Sequence, residues 1–236
     1  MIAAHDPSVA PRRALFIAPE ADVEPGYIGE AASARGFTVE VCKLWKGAEL
    51  SDPSRYDLIV PLGSAEAAYD DSVPWLAAEL AFVRRAADAE VPVFGICFGA
   101  QLLARALGGE VCRASQPEVG WFPITTENPQ TIAPGPWLEW HFDTLTPPGG
   151  AVVLARSAVG AQAFTFGRSF GVQFHPEVTP AILAAWIANT AEPLDRIGVD
   201  VAAFQQETER RAPQARVAAH HLFDVVLDRV GLHVVP

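Results

Sequence analysis

The stretch Val91 to Gly109, VPVFGICFGAQLLARALGG, constrains this chain more than any other, because it reads as a strand, a sharp turn and a helix with a cysteine at the turn. Val91, Val93, Phe94 and Ile96 make a short, β-branched apolar run of the kind buried in parallel sheets, and Gln101 to Leu107 has helical composition. Between them Gly95-Ile96-Cys97-Phe98-Gly99 is a G-x-C-x-G elbow, in which the flanking glycines permit a strained turn that lifts the sulfur above the sheet. The helix that starts there aims its N-terminal amides and positive dipole end at the sulfur, which favours the thiolate. Cys97 is therefore the candidate nucleophile, the alternative being a buried structural cysteine at a strand end.

The residues before the elbow repeat the same pattern. Ala14 to Ala18 reads as a buried strand, Tyr27 to Arg35 as an Ala-rich helix closed by Gly36, and Phe37 to Lys43 as a second strand. Tyr56 to Leu62 supplies a third strand running into Gly63-Ser64, and Val73 to Ala87 an amphipathic helix with Pro74 in its first turn. Alternation of this kind predicts a doubly wound, mainly parallel α/β sheet, with chemistry at the C-terminal strand ends.

Beyond Gly109 the pattern changes to short strands separated by Pro and Gly: Glu110 to Arg113, Val119 to Thr125, Trp137 to Phe142, Ala151 to Ala155, Ala161 to Phe166 and Ser169 to Phe174. These predict a small, partly antiparallel section with a hairpin turning at Gly167-Arg168 and its second strand ending at His175. Thr179-Pro180 starts a helix, and Pro193 to Val230 is mostly helical, with a strongly polar Gln205 to Arg216 portion that lies against solvent or another subunit.

Composition narrows the function classes. A net charge of -11 and the lack of a Lys/Arg cluster argue against nucleic acid or an anionic membrane as partner. No run approaches the ~20 apolar residues of a membrane span, and a cytoplasmic protein is expected. Three cysteines without metal spacing fit free thiols; Cys42 and Cys112 read as small buried hydrophobes in strands.

A thiol nucleophile needs a base, and His175 is the best placed histidine. In Phe174-His175-Pro176-Glu177-Val178 the carboxylate lies two residues on, a spacing that puts both side chains on the same side of an extended strand. Glu177 can then orient one imidazole nitrogen while the other faces Cys97, completing a triad. The backbone amides of Phe98 and Gly63 are the expected oxyanion donors. His141 and Asp143, also two apart, either place both side chains in the cleft or offer a metal two ligands; the former is expected, with no metal and no cofactor. His220 and His221 read as structural or solvated.

Taken together, GICFGAQLLARALGG, Glu118-Val-Gly-Trp121, Trp140-His-Phe-Asp-Thr144 and Gly171-Val-Gln-Phe-His-Pro-Glu-Val-Thr179 resemble the class I glutamine amidotransferases, most nearly stand-alone proteins similar to the amidotransferase domain of GMP synthase. The resemblance implies a flavodoxin-like sheet with flanking helices, Cys97 as nucleophile, His175 as base, Glu177 as orienting carboxylate, Gly63 and Phe98 as oxyanion donors, and Gln101 as a contact to the glutamyl group. It also implies that the segment with His141 and Asp143 lines the substrate pocket. Two departures stand out: Phe142 where many relatives have a small residue, and Gly63-Ser64-Ala65-Glu66 where many carry G-G-P. The expected organisation is a flexible leader (1–13), one amidotransferase-like domain (14–190) and a helical C-terminal extension packed on it (191–236).

The reaction this implies is attack of Cys97 on a γ-glutamyl amide, giving a thioester that water hydrolyses. The substrate is either glutamine, with ammonia passed to a separate synthetase subunit, or a γ-glutamyl amine or peptide cleaved by a stand-alone hydrolase. No P-loop is present to supply an ATP-using step within these residues. A non-catalytic regulatory homologue is the contrasting class, and the intact triad argues against it. An α/β-hydrolase is disfavoured because its acid precedes its histidine, whereas Glu177 follows His175.

Overall fold

The apolar runs of the first half become parallel strands because every second residue must leave water on each face of the sheet. A computed structural model describes residues 11–190 and 194–233. In chain order the elements are β1 (Arg13–Ala18), α1 (Gly26–Ala34), β2 (Thr38–Lys43), β3 (Leu58–Pro61), α2 (Leu76–Asp88), β4 (Val93–Ile96) and α3 (Phe98–Ala106). There follow β5 (Glu110–Phe122), β6 (Thr125–Thr126), β7 (Trp137–Thr146), β8 (Val152–Arg156), β9 (Ala161–Phe166), β10 (Ser169–Val172), α4 (Pro180–Asn189) and α5 (Val201–Arg229).

The central sheet runs β2-β1-β3-β4-β10-β9-β8-β6. The first five strands pair in parallel, and β9, β8 and β6 extend the sheet by antiparallel pairing. Neighbouring residues serve opposite layers. Phe16 and Phe94 face a core shared with α1 and α5 that includes Ile28 and Phe223. Ile17 and Val93 face one shared with α2 and α3 that includes Phe82 and Leu103. Phe94 and Phe170 meet edge to face at 5.9 Å across the β4–β10 pair. The mainly parallel sheet with flanking helices, expected from the sequence, is the observed fold.

A separate two-stranded ribbon, β5 with β7, stands beside this sheet. The two short strands expected at Glu110–Arg113 and Val119–Thr125 are one continuous β5, bent by a register shift between Arg113 and Glu118. Because a two-stranded ribbon keeps one face in water, Cys112 is exposed, and Cys42 on the sheet-edge strand β2 is only half-buried; neither is the buried hydrophobe expected. Helix α2 starts at Leu76, three residues later than expected, because Val73 N–H bonds to the Asp70 carbonyl and Leu76 N–H to that of Val73, making turns first. On the inner face of α2, Glu79 is fully buried and its carboxyl has no hydrogen-bond partner among the described residues, so burial pushes its pKa up to about 8.

Thr179 caps α4 by accepting from Ile182 N–H at 3.2 Å, with Pro180 as first helical residue. Asp200 caps α5 in the same way from Ala203 N–H at 3.0 Å. Helix α5 buries Leu222, Phe223, Val226 and Leu227 while its middle, around Arg210 and Pro213, faces solvent. Arg35 reaches across from the end of α1 to the Asp224 carboxylate and the His220 carbonyl, and His221 contacts the Gln130 carbonyl at 3.2 Å. Of the expected leader, residues 1–10 lie outside the described residues and Arg13 already belongs to β1. No helix among the described residues is long and apolar enough to cross a membrane.

Candidate active site

Strand β4 ends at Ile96 and α3 begins at Phe98, so the whole change of direction falls on Cys97. Its backbone is held at φ 52° and ψ -110°, a conformation costly for any residue with a Cβ. The local sequence enforces it. Gly95 lets the start of α3 fold back over β4, since a Cβ there would stand 2.5 Å from the Gly99 carbonyl oxygen. Cys97 N–H bonds to the Val172 carbonyl at 2.8 Å, fastening the elbow to β10.

His175 arrives from the other side of that strand pair. The ladder of β10 stops at Val172, and the chain leaves the sheet so that His175 N–H bonds to Leu138 on β7 at 2.8 Å. His175-Pro176-Glu177 forms a turn, where an extended strand was expected. The expected contact nevertheless forms: His175 Nδ1 lies 2.7 Å from Glu177 Oε1, with both side chains buried. Nδ1–H donates to the carboxylate, which leaves Nε2 for Cys97. Burial works against a charge on His175, but a Cys97 thiolate and the Glu177 carboxylate outweigh it and hold the imidazole pKa well above its usual value.

Gly63 packs directly against this pair, since a Cβ on it would stand 3.1 Å from His175 Cε1 and 4.0 Å from Cys97 Cβ. Phe98 is the first residue of α3, so its N–H has no carbonyl a turn back in the helix. The loop after Gly63 is fixed by Glu20, whose carboxylate accepts from Ala65 N–H at 2.8 Å and Ser64 Oγ at 2.5 Å. Ser64 thereby donates a hydroxyl that the family's usual glycine and proline in this loop lack.

A cleft of about 450 Å³ opens over these residues, with Cys97, Gly63, Gln101, His141, Asp143 and His175 among its walls. Gln101 Nε2 donates to Gln173 Oε1 at 3.1 Å, and Gln173 Nε2 reaches Cys97 Sγ at 3.5 Å. The Asp143 carboxylate accepts from Tyr69 Oη at 3.2 Å and lies 3.6 Å from Arg113. His141 turns the other way, so the two side chains do not converge as a ligand pair. Its Nδ1 lies 2.8 Å from the Asp143 carbonyl, and its Nε2 faces Glu118 at 3.1 Å and Glu139 at 3.3 Å. Burial opposes a charge on His141, but those carboxylates hold its pKa up to about 10, while burial pushes Glu139 up to about 7. Phe142 remains on the cleft wall under the Arg113 guanidinium, 5.0 Å from its ring centre.

Gln173, Trp186, Glu118 and Glu139 escaped the sequence reading as site residues. Gln173 carried a usable signal, lying two residues before His175 in the same motif. Trp186 on α4 flanks the His175 ring edge to face at 4.8 Å, a contact no local pattern announces.

The family profile "Glutamine amidotransferase class-I" matches residues 28–191. The GMP synthase of Aeropyrum pernix is 45% identical over 96 residues, which are 37% of this chain and 19% of that protein. One subunit of the glutamine-hydrolysing GMP synthase of Saccharolobus solfataricus is 44% identical over 98 residues, 38% of this chain and 52% of that one. The chain thus spans about a fifth to a half of these two curated relatives. The glutamine amidotransferase-like protein YfeJ of Salmonella typhimurium is 29% identical over 206 residues, 77% of this chain and 82% of its own. Among solved structures, a glutamine amidotransferase from Thermotoga maritima superposes with a TM-score of 0.84 at 25% identity, covering 93% of this chain and all of that one.

Proposed function

Because the chain belongs to the class I glutamine amidotransferase family, we propose that it hydrolyses a γ-glutamyl amide through a thioester on Cys97, with glutamine as the first substrate to test. The observation that carries this reading is the strained Cys97 elbow beside an imidazole that Glu177 holds at 2.7 Å. In the proposed reaction the Cys97 thiolate attacks the γ-carbonyl carbon, and the developing oxyanion takes hydrogen bonds from the N–H groups of Gly63 and Phe98. The His175 imidazolium passes its Nε2 proton to the leaving nitrogen, and ammonia or an amine departs as the C–N bond breaks. Water then attacks the thioester, yielding one proton to His175 as the C–S bond breaks and glutamate leaves. Glu177 keeps the imidazole in the required tautomer throughout. Gln101 and Asp143, with His141 behind them, line the part of the cleft that would receive the glutamyl group. The archaeal relatives are named as one subunit of their GMP synthase, which supports transfer of the ammonia to a separate synthetase chain.

A second reading, cleavage of γ-glutamyl amines, is supported by the outer cleft. Glu20, Asp22 and Glu66 line it, while Arg113, the one Lys or Arg among the described lining residues, already faces Asp143. That balance suits a leaving group with a cationic amine better than an anionic one. Offering the purified protein glutamine beside a panel of γ-glutamyl amines and peptides, and measuring ammonia, amine and glutamate, separates the two. Fast ammonia release supports the amidotransferase reading, selective amine release supports the hydrolase, and no turnover of any member contradicts both.

A further inference from the structure

Glu118, Glu139 and His141 form a second cluster of reactive side chains, behind the cleft wall and outside the proton path of the proposed reaction. The β5–β7 ribbon assembles it: Glu118 lies opposite His141 in the ladder, and Glu139, two residues before His141, shares its face of β7. All three are buried, and one ligand-type atom from each lies within 4.8 Å of the others.

The chemistry of His141 gives the cluster its direction. A carbonyl oxygen only accepts, so the 2.8 Å contact with Asp143 makes Nδ1 the protonated donor. Nε2 then presents its lone pair to two carboxylates, Glu118 Oε2 at 3.1 Å and Glu139 Oε2 at 3.3 Å. Neither oxygen lies where an N–H on Nε2 would point, and neither oxygen of the fully buried Glu139 has a hydrogen-bond partner among the described residues. Three electron-rich groups converging in a dry site need a cation between them. Ligands bonded at about 2.0–2.2 Å around a tetrahedral ion stand about 3.3 Å apart, close to the two spacings observed. The surroundings also fit. A ligating histidine typically donates its other N–H to a carbonyl, as His141 does, and ligating carboxylates are themselves hydrogen-bonded. Glu118 Oε2 accepts from Ser157 Oγ at 2.9 Å and from Gln162 Nε2 at 2.9 Å.

We propose that Glu118, Glu139 and His141 bind a divalent transition-metal ion, with Zn²⁺ the best match to one imidazole and two carboxylates, pinning β5 to β7 behind the segment 140–143. This reverses the expectation of no metal, and it stands independently of which γ-glutamyl amide is cleaved.

The test uses the full chain carrying Cys97→Ala, so that the active-site thiol cannot capture zinc. The protein is stripped with a chelator, incubated with Zn²⁺ or Mn²⁺, desalted and assayed for bound metal by elemental mass spectrometry, with thermal melting in parallel. One equivalent of metal per chain and a higher melting temperature are expected. Adding Glu139→Gln should abolish both effects. Adding Ser157→Ala, which leaves all three ligands in place, should weaken zinc affinity about 10-fold or more. Failure of the folded chain to retain either ion, or equal retention by the Glu139→Gln protein, would overturn the site and leave an imidazolium held between two glutamates.

Discussion

Gly99 on α3 lies so close to β3 that a Cβ on it would stand 2.0 Å from the carbonyl oxygen of Pro61. The second glycine of the elbow is therefore a spacer between helix and sheet, and the tightness of that contact helps hold Cys97 in its strained backbone. Gly99→Ala should push α3 outward and cost about 3 kcal/mol or more of stability in urea unfolding. Activity should fall with it. A loss below about 0.5 kcal/mol with full turnover would mean that the elbow tolerates a looser fit.

Replacing Glu177 by Gln keeps the shape of the turn but removes a charge that sustains the His175 imidazolium. The rate should drop about 100-fold or more. The sign of the pH effect follows from the raised imidazole pKa. Without the carboxylate that pKa falls, so the proton needed by the leaving group is lost at lower pH and the alkaline limb of the rate profile moves down. An alkaline limb that stays in place would show that Glu177 does not hold the proton on His175.

Glu79 offers a prediction remote from the site. Its pKa of about 8, against an ordinary value of 4.5, means that the folded chain keeps a proton that the unfolded chain releases. The contribution of this group is fully present below about pH 4.5 and declines as pH rises towards about 8. Glu79→Gln, always neutral, should be more stable than the parent by an amount that grows across that window, up to a few kcal/mol. Urea midpoints measured at several pH values check this, and a difference independent of pH would refute it.

The elbow and the His-Pro-Glu motif were legible because each is contiguous, and glycine, cysteine and histidine carry most of their meaning locally. Even so, the His175–Glu177 contact was anticipated from strand geometry and is made by a turn, since β10 runs out at Val172 and His175 docks on Leu138. The parallel half of the sheet was legible for a similar reason, its strands being short uninterrupted apolar runs. What stayed hidden depends on pairing between distant segments. Glu118 became a neighbour of His141 only through the register of β5 on β7, and that register is offset by a bulge that made one strand look like two. Cys112 was misjudged for the same reason, because the outer face of a lone ribbon has no second layer to cover it.

Everything proposed for the reaction rests on Cys97 carrying the glutamyl group. The most direct measurement mixes the protein with glutamine, or with whichever γ-glutamyl amine it turns over, quenches in acid during turnover and locates the adduct by peptide mass spectrometry. One glutamyl group is expected on the peptide containing Cys97, with neither adduct nor glutamate release in Cys97→Ala. Glutamate released at an undiminished rate by Cys97→Ala, or an adduct on Cys42 or Cys112 instead, would contradict it.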